Sequence, residues 1–115
     1  MQKEPLAIED VPGPKSGQRF LRLTGPLVLT NLFDFQARVR ADNSPALFLD
    51  FTNVPYVDSA GIGALVGAYV THQKDGCRLY LVGVSQRVRD ALQVTRVEQF
   101  FSFLDTMAAA AQVIP

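Results

Sequence analysis

The residues best placed to do chemistry are Asp58-Ser59-Ala60-Gly61, a carboxylate and a hydroxyl followed at once by small side chains. A serine at a helix start lies among backbone N–H groups that lack intrahelical partners, at the positive end of the helix macrodipole. Such a place can hold a phosphoryl group, which needs donors and positive potential. The Ser59 hydroxyl is expected among the N–H groups of Ala60, Gly61 and Ile62. Phosphorylation there would add about −1.5 to −2 units of charge to a neutral surface and repel a partner docked on it. The plainer alternative makes Ser59 or Asp58 only an N-cap, contributing about 1 kcal/mol to its helix.

Catalysis by Ser59 lacks a second group. The sole histidine, His72, lies thirteen positions along the same expected helix, about 20 Å away at 1.5 Å per residue, so no Ser-His pair forms. The Gly-x-Ser-x-Gly elbow is missing, and Gly61-Ile62-Gly63 completes neither a dinucleotide fingerprint nor a P-loop. The chain therefore reads as a non-enzyme without a cofactor. With one cysteine, Cys77, and one histidine, it holds no internal disulfide and no recognisable Cys/His zinc set, so no metal site is expected.

Eleven Lys and Arg balance eleven Asp and Glu, so no net field draws the chain to nucleic acid or an anionic membrane. The longest apolar run, Ala60 to Val70, is far below the roughly 20 residues of a membrane span. The first five residues do not resemble a secretory signal. A cytoplasmic protein without membrane insertion is expected.

The positioning elements follow from periodicity. A short strand is expected at Leu6 to Ile8, then turn chemistry from Asp10 to Gly17. Arg19 to Thr24 alternates as a half-buried strand, with Leu21 and Leu23 on one side and Arg22 on the other. Thr30 or Asn31 can cap a helix whose apolar face is read as Leu29, Leu32, Phe33 and Ala37, ending near Ala41 to Pro45. Ala46 to Phe51 is nearly all apolar and suits a central strand covered on both faces. Ile62, Leu65, Val66, Tyr69 and Val70 give the helix after Asp58-Ser59 its apolar face, and Gly76 closes it. Arg78 to Val82 is the next strand. Ser85 caps a helix with Val88, Ala91 and Leu92. Phe100 to Phe103 forms a last strand, and Asp105 caps a final helix with Met107, Ala111 and Ile114. These elements predict one α/β domain over residues 1–115, a mixed, mainly parallel sheet of about five strands with about four helices and right-handed crossovers.

The helix after Ser59 carries Gly61, Gly63 and Gly67, each costing up to about 1 kcal/mol relative to alanine. With Ala60, Ala64 and Ala68 they flatten the helix surface, either for a partner's backbone or for close packing on the chain's own sheet. His72 is expected to end the helix near its C-terminal dipole, and Cys77 to pack at a strand edge. Arg87, Arg89 and Arg96 read as a solvated helix face or as a site for an acidic partner surface. Phe100, Phe101 and Phe103 are expected in the core, one of them exposed.

Pro55-Tyr56-Val57-Asp58-Ser59-Ala60-Gly61-Ile62-Gly63-Ala64-Leu65 resembles the phosphorylation motif of STAS domains, named for sulfate transporters and anti-sigma factor antagonists. The similarity extends through Arg22-Leu23-Thr24-Gly25, Leu47 to Phe51, Gly76 to Gly83 and Ser85 to Leu92. It implies the STAS fold and a switch in which the serine matching Ser59 is phosphorylated by an anti-sigma factor with serine kinase activity. The unphosphorylated form captures that partner and frees a sigma factor. The resemblance gives Asp58 and Ser59 the key positions, with Ala60, Gly61, Gly63, Ala64 and Gly67 as the accompanying partner surface; a homodimer is compatible with it. Family members often read Gly-Glu-Leu-Asp where this chain reads Gly25-Pro26-Leu27-Val28. A second reading is therefore a constitutive, non-catalytic STAS subunit of a signalling assembly or lipid transporter.

Overall fold

Strand β3 (Ala46–Asn53) is the middle of the molecule, and its sequence explains why. Ala46 to Asp50 and Phe51 are all buried, as a strand covered on both faces requires. The computed structural model describes residues 5–112. In it β3 lies between β2 (Gln18–Thr24) and β4 (Arg78–Val82), parallel to both. Strand β1 (Ala7–Pro12) adds an antiparallel edge to β2, and β5 (Ser102–Leu104) a parallel edge to β4, giving the order β1-β2-β3-β4-β5. The crossovers β2 to β3, β3 to β4 and β4 to β5 carry helices α1 (Leu32–Ala41), α2 (Ser59–Lys74) and α3 (Gln86–Val94). All three helix N-termini therefore lie at the carboxyl ends of the parallel strands.

The larger core packs Leu21, Leu23, Leu47, Leu49, Phe51 and Leu81 of the sheet against the helices. On the opposite face Phe20, Phe48 and Tyr80 stack across three strands, with centroids 4.7 and 4.8 Å apart. Beside them Arg22 reaches the buried Asp50 at 3.3 Å. Both faces of β2 are thus covered, and the half-buried expectation for that strand describes only part of it.

Five local expectations are corrected. Strand β1 runs on through Asp10, Val11 and Pro12 instead of turning at Asp10. At a sheet edge a proline can be tolerated, and the Asp10 carboxylate is held by Arg19 across the pair. That ion pair draws the Asp10 carboxyl below the usual carboxylate range. In α1 the buried face is Leu32, Phe35 and Val39, whereas Leu29, Phe33 and Ala37 are exposed. Asn31 occupies the cap position without capping; its side chain instead accepts from the Val28 N–H and donates to the Pro26 carbonyl, turning the preceding loop. The last strand begins at Ser102, because Glu98–Phe100 forms a 3₁₀ turn. The final helical segment, Met107–Gln112, is also 3₁₀; Thr106 rather than Asp105 accepts from Ala109, and Ile114 lies outside the described residues. Ser85 caps α3 as expected, accepting from the Val88 N–H at 3.2 Å.

Candidate functional site

The start of α2 is fixed by the loop that leaves β2. Leu27 forms an isolated parallel bridge with Val57, its N–H donates to the Tyr56 carbonyl, and its own carbonyl accepts from the Asp58 N–H. Asp58 is the N-cap, in extended conformation. One carboxylate oxygen accepts from the Gly61 N–H at 2.8 Å and the other from the Leu29 N–H at 3.0 Å. A single side chain thus caps one helix and ties it to the loop before another.

This division of labour settles the capping question. Ser59 is the first residue of α2 and is exposed; among the described residues its hydroxyl has no hydrogen-bond partner. The expected cradle of three N–H groups is smaller than the sequence suggested. Gly61 donates to the Asp58 side chain and Ile62 to the Asp58 carbonyl at 2.9 Å. The N–H groups of Ser59 and Ala60 belong to the first turn, where no intrahelical partner exists.

The helix glycines also divide. At Gly61 an added Cβ would collide with the Leu27 carbonyl oxygen. This buried residue serves the chain's own packing, not an open surface. Gly63 and Gly67 are exposed, and an added Cβ at either would meet nothing within 4 Å. Both border a groove of about 220 Å³ between α1 and α2, floored by Ala64 and Ala68 and walled by Phe35, Gln36 and Arg40. Phe33 stands three positions before Gln36 and seven before Arg40, on the same side of α1. Phe33 and Leu29 are 74% and 64% exposed. These two side chains were assigned to the core by sequence; the competing series Leu32, Phe35, Val39, spaced i, i+3, i+7, is the signal that would have placed them outside.

The remaining candidates have local duties. His72 is buried and bonded to Asp42, besides lying in the last turn of α2. Arg89 pairs with Glu98 at 2.7 Å and lies over the Phe103 ring, while Arg87 lies over the Tyr56 ring. These two arginines are thus engaged within the chain. Of the three phenylalanines, Phe101 is buried, Phe103 is half-buried and Phe100 is exposed. Among the described residues no helix is long and apolar enough to cross a membrane.

Comparison with known proteins follows this geometry. A segment of 57 residues is 32% identical to the anti-sigma-B factor antagonist of Staphylococcus aureus, covering 50% of this chain and 53% of that protein. The chain thus spans about half the length of the curated relatives it matches. Among solved structures, an anti-sigma factor antagonist from Mycobacterium paratuberculosis superposes with a TM-score of 0.78 at 18% identity, covering 93% of this chain and 92% of the other. The Bacillus cell fate determinant SpoIIAA in its phosphorylated form gives 0.72 at 17% identity, covering 94% of this chain and all of SpoIIAA. These structures share the fold. The STAS domain family matches residues 9–110, nearly the whole sequence, and the chain belongs to that family.

Proposed function

We propose that this chain is an anti-sigma factor antagonist that works as a phosphorylation-controlled binding switch, with Ser59 as the modified residue. Unphosphorylated, it captures an anti-sigma factor that is itself a serine kinase; phosphorylated, it releases it. The observation that carries this reading is the separation of roles at the start of α2. Asp58 makes the capping bonds, leaving the exposed Ser59 hydroxyl without a structural task beside the open Gly63 and Gly67. The name of the Staphylococcus aureus relative and the phosphorylated state of SpoIIAA support the same reading.

The partner surface comprises Asp58, Ser59, Ala60, Gly63, Ala64 and Gly67, rimmed by Leu29 and Phe33. Gly61 contributes by letting α2 seat closely on Leu27. A phosphoryl group on Ser59 would place about two negative charges at this small-residue surface, where a closely docked partner could not hydrate them. No chemistry on a substrate is needed, and the chain acts by binding in the cytoplasm.

The constitutive-subunit reading has one observation in its favour. Pro26, Leu27 and Val28 are all buried, and the loop after β2 brings no carboxylate to this edge of the site. Capture from lysates of the chain's own cells separates the two readings. The switch predicts that wild type and Ser59→Ala retain one partner with kinase activity, whereas Ser59→Asp loses it. Equal retention by all three chains would replace the switch with a constitutive contact.

A further inference from the structure

Strand β4 outruns its neighbour at one end of the sheet. Its ladder with β5 begins at Tyr80 and Ser102, although Arg78 and Leu79 already belong to β4. On the β5 side the chain is instead wound into the 3₁₀ turn Glu98–Phe100. The uncovered stretch of edge opens into a cavity of about 440 Å³, walled by Tyr69 and Gln73 of α2, Arg78 and Tyr80 of β4, and Phe100 and Ser102. Small-molecule sites usually measure roughly 300–1,000 Å³. The cavity lies at the amino ends of the parallel strands, whereas Ser59 lies at their carboxyl ends. Gln73 stands on α2 about 21 Å from Ser59 at 1.5 Å per residue, and the exposed-serine switch makes no use of this region.

Aromatic surface and a cation meet there. Phe100 stacks on Tyr69 with centroids 5.6 Å apart, and Tyr69 is braced in turn by Phe101 in a T-shaped contact at 5.9 Å. Phe100 is nevertheless 42% exposed, so part of this braced stack is left in water. Arg78 is the one permanently charged side chain of the lining, which contains no carboxylate. Its Nη1 lies 3.5 Å from the Tyr80 hydroxyl, and a guanidinium has five N–H donors to share. The backbone supplies a further donor. The Arg78 N–H turns to the Pro45 carbonyl on the β3 side, whereas the Gly83 N–H turns to the Leu104 carbonyl on β5. Leu79 is in phase with Gly83 along the strand, so its N–H is directed to the side on which β5 has not yet begun.

We propose that this cavity binds a small planar aromatic carboxylate. The ring of the ligand extends the Tyr69–Phe100 stack, where aromatic contact is favourable beyond the area it buries. Its carboxylate is received by the Arg78 guanidinium, the Leu79 N–H and the Gln73 side-chain amide, in charge-assisted hydrogen bonds that are stronger than neutral ones. Aromatic walls can also hold a cation, but the Arg78 charge opposes one, and no acidic side chain lines the cavity to offset it. A wholly apolar ligand would cover the Arg78 and Leu79 donors without bonding them, which is costly. The site does not depend on which partner Ser59 controls.

The chain's one thiol reports occupancy, because Cys77 is half-buried and lines the cavity. In the full chain, millimolar naphthoate should slow alkylation of Cys77 by iodoacetamide several-fold and saturably, and shift the amide resonances of Leu79 and Ser102. Cyclohexanecarboxylate lacks the flat ring and naphthamide lacks the charge, so both should act far more weakly. Arg78→Gln and Phe100→Leu should each weaken the protection by naphthoate several-fold, with far-ultraviolet spectra like that of wild type, and Ser59→Ala should keep it in full. The proposal is overturned by wild type that shows neither slowing nor amide shifts, by equal effects of the three compounds, or by undiminished protection in both cavity variants.

Discussion

Gly61 and Gly63 lie two residues apart on one helix, yet they are glycine for opposite reasons. Gly61 faces inward, where the Leu27 carbonyl occupies the space a methyl group would need. Gly63, like Gly67 a turn later, faces open space, and the helix bears its cost without any return from the fold. The first glycine explains how α2 begins so close to the loop after β2. The other two have no packing contact to explain them; the proposed partner surface would supply the reason, and Ser59 stands on that same outward side.

Substitution at these positions can break the contrast. Gly61→Ala should have the largest effect, because the new Cβ must displace backbone rather than a mobile side chain; a loss of about 3 kcal/mol is expected, at the upper end of overpacking costs, read by urea unfolding. Asp58→Ala comes next. It removes the cap of α2 and the bond to the Leu29 N–H together, for about 2 kcal/mol in all, and amide exchange at Leu29 should rise with that at Gly61. A loss confined to α2 would show that the loop is held by Leu27 alone. Gly63→Ala and Gly67→Ala should act in the reverse sense, each stabilising the chain by up to about 1 kcal/mol while weakening capture of the partner. Unchanged capture would return both glycines to the status of ordinary surface residues.

The contrast also marks how far the sequence could be read. Strand β3 and helix α2 announce themselves, Ala46 to Phe51 as an apolar run broken only by Asp50 and α2 by Ile62, Leu65, Val66 and Tyr69 at helical spacing, although Val70, read into the same face, is exposed. Helix α1 offers two overlapping apolar series, and the choice between them rests on Asn31 turning the loop through Val28 and Pro26, a tertiary arrangement that propensity does not encode. Strand β1 continues through Pro12 because it is an edge, which depends on the order of all five strands. At the site, the sequence located the helix start and its small residues. It did not assign the cap between Asp58 and Ser59, nor separate Gly61 from Gly63, because both distinctions depend on the backbone of Leu27 and Leu29, some thirty residues earlier in the chain.

The central claim is that the hydroxyl freed by Asp58 is the one that is modified. Mass spectrometry on the protein isolated from its own growing and stressed cells tests it on the tryptic peptide Ala41 to Lys74, whose hydroxyl residues are Ser44, Thr52, Tyr56, Ser59, Tyr69 and Thr71. The account predicts a phosphoryl group on Ser59, with an occupancy that changes between the two conditions. Phosphate confined to another of these residues, or none in either condition, would contradict it.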